Sequence, residues 1–232
     1  MKNIKKILLA LVVVLLTTIG GFLIYAADYY KADEAAQQVL RSNATIKDNG
    51  TLITIPHTQP TETALIFYPG AKVEHTAYLP LLEKVSRTSN IKIFLVRMPL
   101  RFAIFNQNAA ARIMSQNPDI TKWYLGGHSL GGAMASSFAS NNQDKVQGLI
   151  LLGAYVYGSY PKEKSLTIYG TLNTTVSEKV DYTENVVAIE GGNHAQFGNY
   201  GKQKGDQEAT ITSVQQQQAA VEAIKDFLSK AE

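Results

Sequence analysis

The 232-residue sequence contains no cysteine. That excludes disulfides and every metal site built on thiolates, so the fold must hold by packing alone. It also lacks any acidic residue before Asp28 and any charge at all between Ile7 and Ala27. Charged residues are sparse, 18% against 45% hydrophobic, which suits a chain with a sizeable core. The formal net charge of +3 comes entirely from Lys2, Lys5 and Lys6; with those set aside, 19 basic residues balance 19 acidic ones. The body of the protein is therefore not basic, which argues against a nucleic-acid partner. No metal-ligand spacing and no phosphate-binding loop occurs, so no cofactor or metal is expected.

The uncharged run Ile7–Ala27 is 21 residues long, enough for a helix to cross a bilayer's hydrocarbon core. Tyr25 stands where a signal-peptidase site needs a small residue, so residues 1–27 read as an uncleaved signal anchor rather than a secretory signal; secretion after cleavage is the alternative. The lysines in front keep that end in the cytoplasm. The remainder is expected outside the cytoplasmic membrane, with the chain a single-pass membrane protein. Residues 28–44 read as a short helical linker and 45–232 as one domain.

Within that domain apolar strand-like runs alternate with helical patterns. Strands are predicted at 51–56, 63–70, 91–96, 122–127, 146–153, 165–170 and 185–192. Helices are predicted at 78–87, 106–116, 130–140 and from about Val214, the last capped by Ser213 and burying Val221, Ile224, Phe227 and Leu228. The run Gln215–Gln218 inside it reads as a solvated face. Alternation of this kind implies an α/β fold with a mostly parallel sheet covered by helices on both faces, and ligands on such sheets bind beyond the carboxyl ends of the strands.

At one such end stands Leu125-Gly-Gly-His-Ser-Leu-Gly-Gly-Ala-Met-Ala135, with a strand before it and a helix after. The embedded G-x-S-x-G places Ser129 on a sharp strand-to-helix turn, where glycine at 127 and 131 avoids clashes between close backbones. The helix end offers N–H groups and partial positive charge to an oxyanion. A serine needs a base to become a nucleophile. Of the four histidines, His194 follows the last strand and fits the chain order serine, then histidine. His128 lies inside the turn and is expected to pack there; His57 and His75 read as loop or surface residues, His75 nearer the site. The N–H groups of Leu130 and of Ala71, in Phe67-Tyr-Pro-Gly-Ala-Lys-Val-Glu74, are the candidate oxyanion donors, with Lys72 close behind.

These three blocks, Tyr68–Val73, Gly126–Ala135 and Glu190–Gly198, resemble the alpha/beta-hydrolase superfamily, and within it small, exported or membrane-anchored, dienelactone-hydrolase-like bacterial members. The resemblance implies an eight-stranded-type sheet, Ser129 as nucleophile, His194 as base and metal-free hydrolysis of carboxylic-ester-type substrates. One position departs from the family pattern: Asn173 stands where an aspartate is expected. An amide accepts a hydrogen bond but supplies no negative charge. The departure leaves three readings open: a slow or specialised esterase, one served by another carboxylate (Asp181, Glu184 or Glu190), or a catalytically inactive protein that binds an envelope ligand; an acyltransferase using the same serine is a further alternative. Only about a dozen residues separate the strands at 146–152 and 165–170, so no large cap fits. Tyr155, Tyr157 and Tyr160 are candidates for the pocket wall, and the glycine-bearing stretch 195–212 for a flap over it.

Overall fold

A computed structural model describes residues 2–57 and 59–230. The chain opens with a 26-residue helix, α1 (Lys2–Ala27), whose most apolar stretch has a mean hydropathy of 2.8 and is nowhere buried by the rest of the protein. It is long and apolar enough to cross a membrane. The following segment, expected to be a helical linker over 28–44, is helical only in part. Tyr30 pairs as a single parallel bridge with Val73, and helix α2 (Glu34–Ser42) starts only after Asp33, whose carboxylate accepts from the Ala36 N–H at 3.0 Å. An N-cap of this kind fixes the start, because it satisfies a donor that the first turn leaves open.

Eight strands follow: β1 (Lys47–Asp48), β2 (Leu52–Ile55), β3 (Thr63–Tyr68), β4 (Lys92–Val96), β5 (Lys122–His128), β6 (Gly148–Leu152), β7 (Ser165–Gly170) and β8 (Val186–Ile189). They form one sheet in the order β1-β2-β4-β3-β5-β6-β7-β8. Only β1–β2 and β2–β4 pair antiparallel; the other neighbours are parallel. The intervening helices are α3 (Leu79–Ser89), α4 (Ala109–Gln116), α5 (Leu130–Ser140), the one-turn α6 (Thr174–Ser177) and α7 (Ser213–Ser229).

Period-two alternation along the buried strands sends side chains to two cores. In β3, Leu65 and Phe67 join the cluster under α3 and α7, while Ala64, Ile66 and Tyr68 join the one under α4 and α5. Each face buries tens of apolar side chains, and burial at roughly 25 cal/mol per Å2 makes this the dominant favourable term. The register aligns Tyr68 with Gly127, His128 with Leu152, and Gly170 with Ile189. The segments that follow β3, β5, β6 and β7 are thereby brought to one edge of the sheet.

Two expectations about α7 are corrected. Its N-cap is Thr212, not Ser213: the Thr212 hydroxyl accepts from the Gln215 N–H at 3.2 Å, and the Gln215 side chain accepts in return from the Thr212 N–H at 2.9 Å. This reciprocal box satisfies two donors, more than a lone serine offers. The glutamine run is solvated only in part: Gln215 and Gln218 are exposed. Gln216 and Gln217 are buried because they lie one to two turns before Ala220, Val221 and Ile224 on the same stripe.

Candidate active site

β5 ends at His128 and α5 begins at Leu130, so Ser129 alone makes the turn, with φ 53° and ψ −125°. Positive φ at a serine is strained and needs support from its surroundings. That support is close packing. A Cβ at Gly127 would lie 2.6 Å from the Tyr68 carbonyl oxygen, and one at Gly131 would overlap the carbonyl oxygens of both Tyr68 and Pro69. The elbow therefore seats directly on the end of β3 and the loop after it.

The Ser129 hydroxyl lies at a pocket of about 470 Å3. Leu130, Tyr155, Tyr157, Asn173, His194 and Asp206 share its wall. Tyr160 does not line it; it is buried and its hydroxyl donates to the Val146 carbonyl at 2.8 Å. Gln203, Lys204 and Gly205 of the 195–212 stretch do line it, as expected of that segment. The N–H groups of Leu130 and Ala71 bond to no other described residue. Ser129 Oγ likewise makes no hydrogen bond to a described residue, His194 included.

His194 Nδ1 lies 2.7 Å from Nδ2 of the buried Asn173. In this orientation the amide donates and Nδ1 accepts, which leaves the imidazole proton on Nε2. A half-turn of the amide presents Oδ1 instead, moves the proton to Nδ1 and frees Nε2 to accept. Burial lowers the His194 pKa from the ordinary histidine value, opposed by the charge of Asp206, so the ring is neutral near pH 7.

Asp206 is the carboxylate that the sequence does not reveal. Its two oxygens accept from the N–H groups of His194 at 3.2 Å and Ala195 at 2.8 Å, fixing the start of the histidine loop. It comes twelve residues after the histidine, inside an irregular stretch, and no motif marks it. The carboxylates that the sequence offers do not bond to His194. Asp181 pairs with Lys162 at 3.0 Å in solvent, Glu184 accepts from the Thr183 N–H, and Glu190 is exposed.

His128 is buried, as expected, and it links the site's parts. Its Nδ1 accepts from the Tyr78 hydroxyl at 2.8 Å, and that hydroxyl accepts from the Gly70 N–H at 3.1 Å. Its Nε2 donates to the His194 carbonyl at 3.0 Å. Burial, and then the neighbouring His194, hold its pKa well below the ordinary value, so it stays neutral. His75 lies at a different pocket, beside Arg97 and Arg101, and His57 accepts only from the Gln59 N–H in its own loop.

A search of curated protein sequences finds no match. A model of the alpha/beta hydrolase family matches residues 64–218. Among solved structures the chain is similar to Est1E from Butyrivibrio proteoclasticus, at 13% identity and a TM-score of 0.56, over 80% of this chain and 97% of that one. It is also similar to a soluble variant of the monoglyceride lipase from Saccharomyces cerevisiae, at 11% identity and a TM-score of 0.55, over 80% and 94%. A putative lipase from Acinetobacter baumannii superposes at 10% identity and a TM-score of 0.56, over 86% and 97%. At these identities the likeness speaks for the fold.

Proposed function

Because this chain belongs to the alpha/beta hydrolase family, we propose that it is a serine hydrolase of ester-type substrates, with Ser129 as nucleophile and His194 as base. The observation that carries this reading is the strained Ser129 at the mouth of a helix, sharing one pocket with a neutral histidine and an unpaired N–H at Leu130. Esterases and lipases among the similar folds agree with it.

In the proposed reaction His194 Nε2 takes the Ser129 proton as Oγ attacks the ester carbonyl. The N–H groups of Leu130 and Ala71 receive the developing oxyanion. The protonated imidazole then gives its proton to the departing alkoxide, leaving an acyl-serine. Water, deprotonated by the same nitrogen, releases the acid and restores Ser129. Asn173 takes the acid's place: after a half-turn of its amide from the orientation in which the nitrogen faces Nδ1, the oxygen accepts from Nδ1–H and leaves Nε2 free, without the charge that steadies an imidazolium.

A second reading has its own support. The Asn173 amide faces Nδ1 with its nitrogen, and Ser129 Oγ is unpaired with His194. A pocket kept for ligand binding would look the same. A fluorophosphonate probe on the full chain separates the two. Labelling that disappears in Ser129→Ala supports the hydrolase; absence of labelling in folded protein overturns it in favour of binding.

For the remainder of the chain we propose that α1 is an uncleaved anchor and that residues 45–232 form the hydrolase domain outside the cytoplasmic membrane, joined by 28–44. An alkaline phosphatase fused after residue 60 is active if so, and inactive if the domain is cytoplasmic.

A further inference from the structure

Beyond the pocket, one surface joins three unusual features. After β4 the chain makes two short 3-10 turns, Pro99–Arg101 and Ala103–Phe105. They expose three large apolar side chains together: Leu100 at 41%, Ile104 at 49% and Phe105 at 49%. Leu100 and Arg101 are both left-handed, at φ 50° and 63°. That conformation is unfavourable for bulky side chains and persists where the surroundings impose it.

The same turns receive the end of α1. The Phe22 ring lies 5.7 Å from Phe102 and 5.8 Å from Phe105, and Tyr25 stacks on Phe102 at 6.3 Å. Phe22 is five residues before the helix end at Ala27, about 7 Å along the axis at 1.5 Å per residue. A helix that crosses a bilayer therefore carries Phe105 down to the level of its own apolar segment. Basic groups flank this contact, with Lys72 paired to the exposed Asp28 at 3.5 Å. The Arg101 guanidinium lies 3.3 Å over the Tyr29 ring, Lys72 Nζ lies 3.9 Å over Tyr25, and exposed Arg97 lines the adjoining pocket with Arg101 and His75. Aromatic rings with basic groups at one level, and bare apolar side chains beside them, match the composition of a membrane interface.

We propose that the 99–105 turn rests in the bilayer that α1 crosses, with Leu100, Ile104 and Phe105 among the acyl chains and Arg97 and Arg101 against headgroup phosphates. The proposal rests on the reading of α1 as a membrane span. It makes the domain a body seated on the membrane rather than one hanging from a tether. The turn follows the carboxyl end of β4 and bonds to the loop after β3, where the Lys72 N–H donates to the Arg101 carbonyl at 3.0 Å. The edge of the sheet that holds the pocket is thus the edge turned toward lipid.

The cysteine-free chain allows a direct test. Single cysteines replace Ile104, Phe105, Val13 in α1, and exposed Lys145 at the opposite edge of the sheet, before β6. Each full-length variant carries an NBD fluorophore in phosphatidylethanolamine–phosphatidylglycerol vesicles that contain doxyl-labelled phospholipid. The expected result is quenching at Ile104→Cys and Phe105→Cys comparable to Val13→Cys, with Lys145→Cys unquenched. Quenching at 13 with none at 104 and 105 overturns the seated domain while the span stands. Failure to quench at 13 overturns the span itself. Disulfide-linked dimers of the unlabelled Ile104→Cys protein, with no quenching of its labelled form, assign the surface to a second copy and overturn the proposal.

Discussion

His128 Nε2 donates to the backbone carbonyl of His194 across 3.0 Å. Since a carbonyl only accepts, this bond fixes the tautomer of His128 and makes its Nδ1 an acceptor. The Tyr78 hydroxyl must then donate to Nδ1, and its lone pair takes the Gly70 N–H. One directed chain therefore runs from the loop after β3, through the residue before Ser129, to the backbone of the proposed base. Tyr78→Phe removes its middle and strands two buried groups, Gly70 N–H and His128 Nδ1. The expected cost is about 1–3 kcal/mol, read as a lower unfolding midpoint. Turnover on a simple ester should fall several-fold with little change in KM, because the chain aligns reacting parts and does not touch substrate. A variant with wild-type kcat would show that the alignment is set elsewhere.

Asn173→Asp restores charge beside His194 Nδ1, now 2.7 Å from an amide nitrogen. A carboxylate can only accept, so it forces the proton onto Nδ1 and leaves Nε2 free toward the serine side. In a serine triad the reverse change costs on the order of 10⁴ in turnover. Steady-state assays should show kcat rising, on the order of 10²-fold or more given that the rest of the site is already packed. The same charge raises the His194 pKa, so the acid limb of the pH–rate profile should move to higher pH. An unchanged kcat would mean that Ser129 is not limited by the orientation of His194.

Asp206 acts on the same residue through charge and through the backbone. Burial holds the His194 pKa below the ordinary histidine value and Asp206 works against that. Asp206→Asn removes the charge and keeps an acceptor oxygen for one of the two N–H groups. The His194 pKa should then fall further. A base is active when unprotonated, so the acid limb of kcat/KM should shift to lower pH than in the wild type. A shift toward higher pH would contradict the sign of the interaction.

How much of this was legible beforehand follows from the range of each signal. The elbow is local: a buried strand, a serine between glycines and an alanine-rich helix within twenty residues, and the turn at Ser129 lies between β5 and α5 as expected. Most strand runs were legible for the same reason, since burial on both faces leaves continuous apolar stretches. Asp206 was not, because its role depends on a loop folding back on His194, and loop geometry leaves no periodic trace. Asp181, Glu184 and Glu190 are poor guides, since position along a chain says little about which end of a strand a side chain reaches. Leu100, Ile104 and Phe105 carry no motif, and their grouping beside the end of α1 depends on a contact between segments far apart in the chain. In the glutamine run position outweighs composition: the apolar stripe of α7, carried one turn back, reaches Gln217 and Gln216.

That run yields a comparison between neighbours. Gln216 Oε1 accepts from the Asn193 N–H at 2.9 Å, and its Nε2 donates to the Asn193 carbonyl at 2.8 Å. Gln217 Nε2 donates to the Gln196 carbonyl at 3.1 Å and to Asn199 Oδ1 at 2.9 Å. The helix thus grips the backbone on both sides of His194, whereas Gln218, next along, is exposed and reaches only Glu222. Gln216→Ala should cost about 2–4 kcal/mol, since it leaves both polar groups of a buried peptide unpaired and opens a small void. Gln218→Ala should stay within about 0.5 kcal/mol of wild type. Urea melts of the two variants read the difference directly, and hydrogen exchange at Asn193 should quicken only in the first. Equal stabilities for the pair would mean that water replaces the Gln216 amide without loss, and that the histidine loop holds its shape without α7.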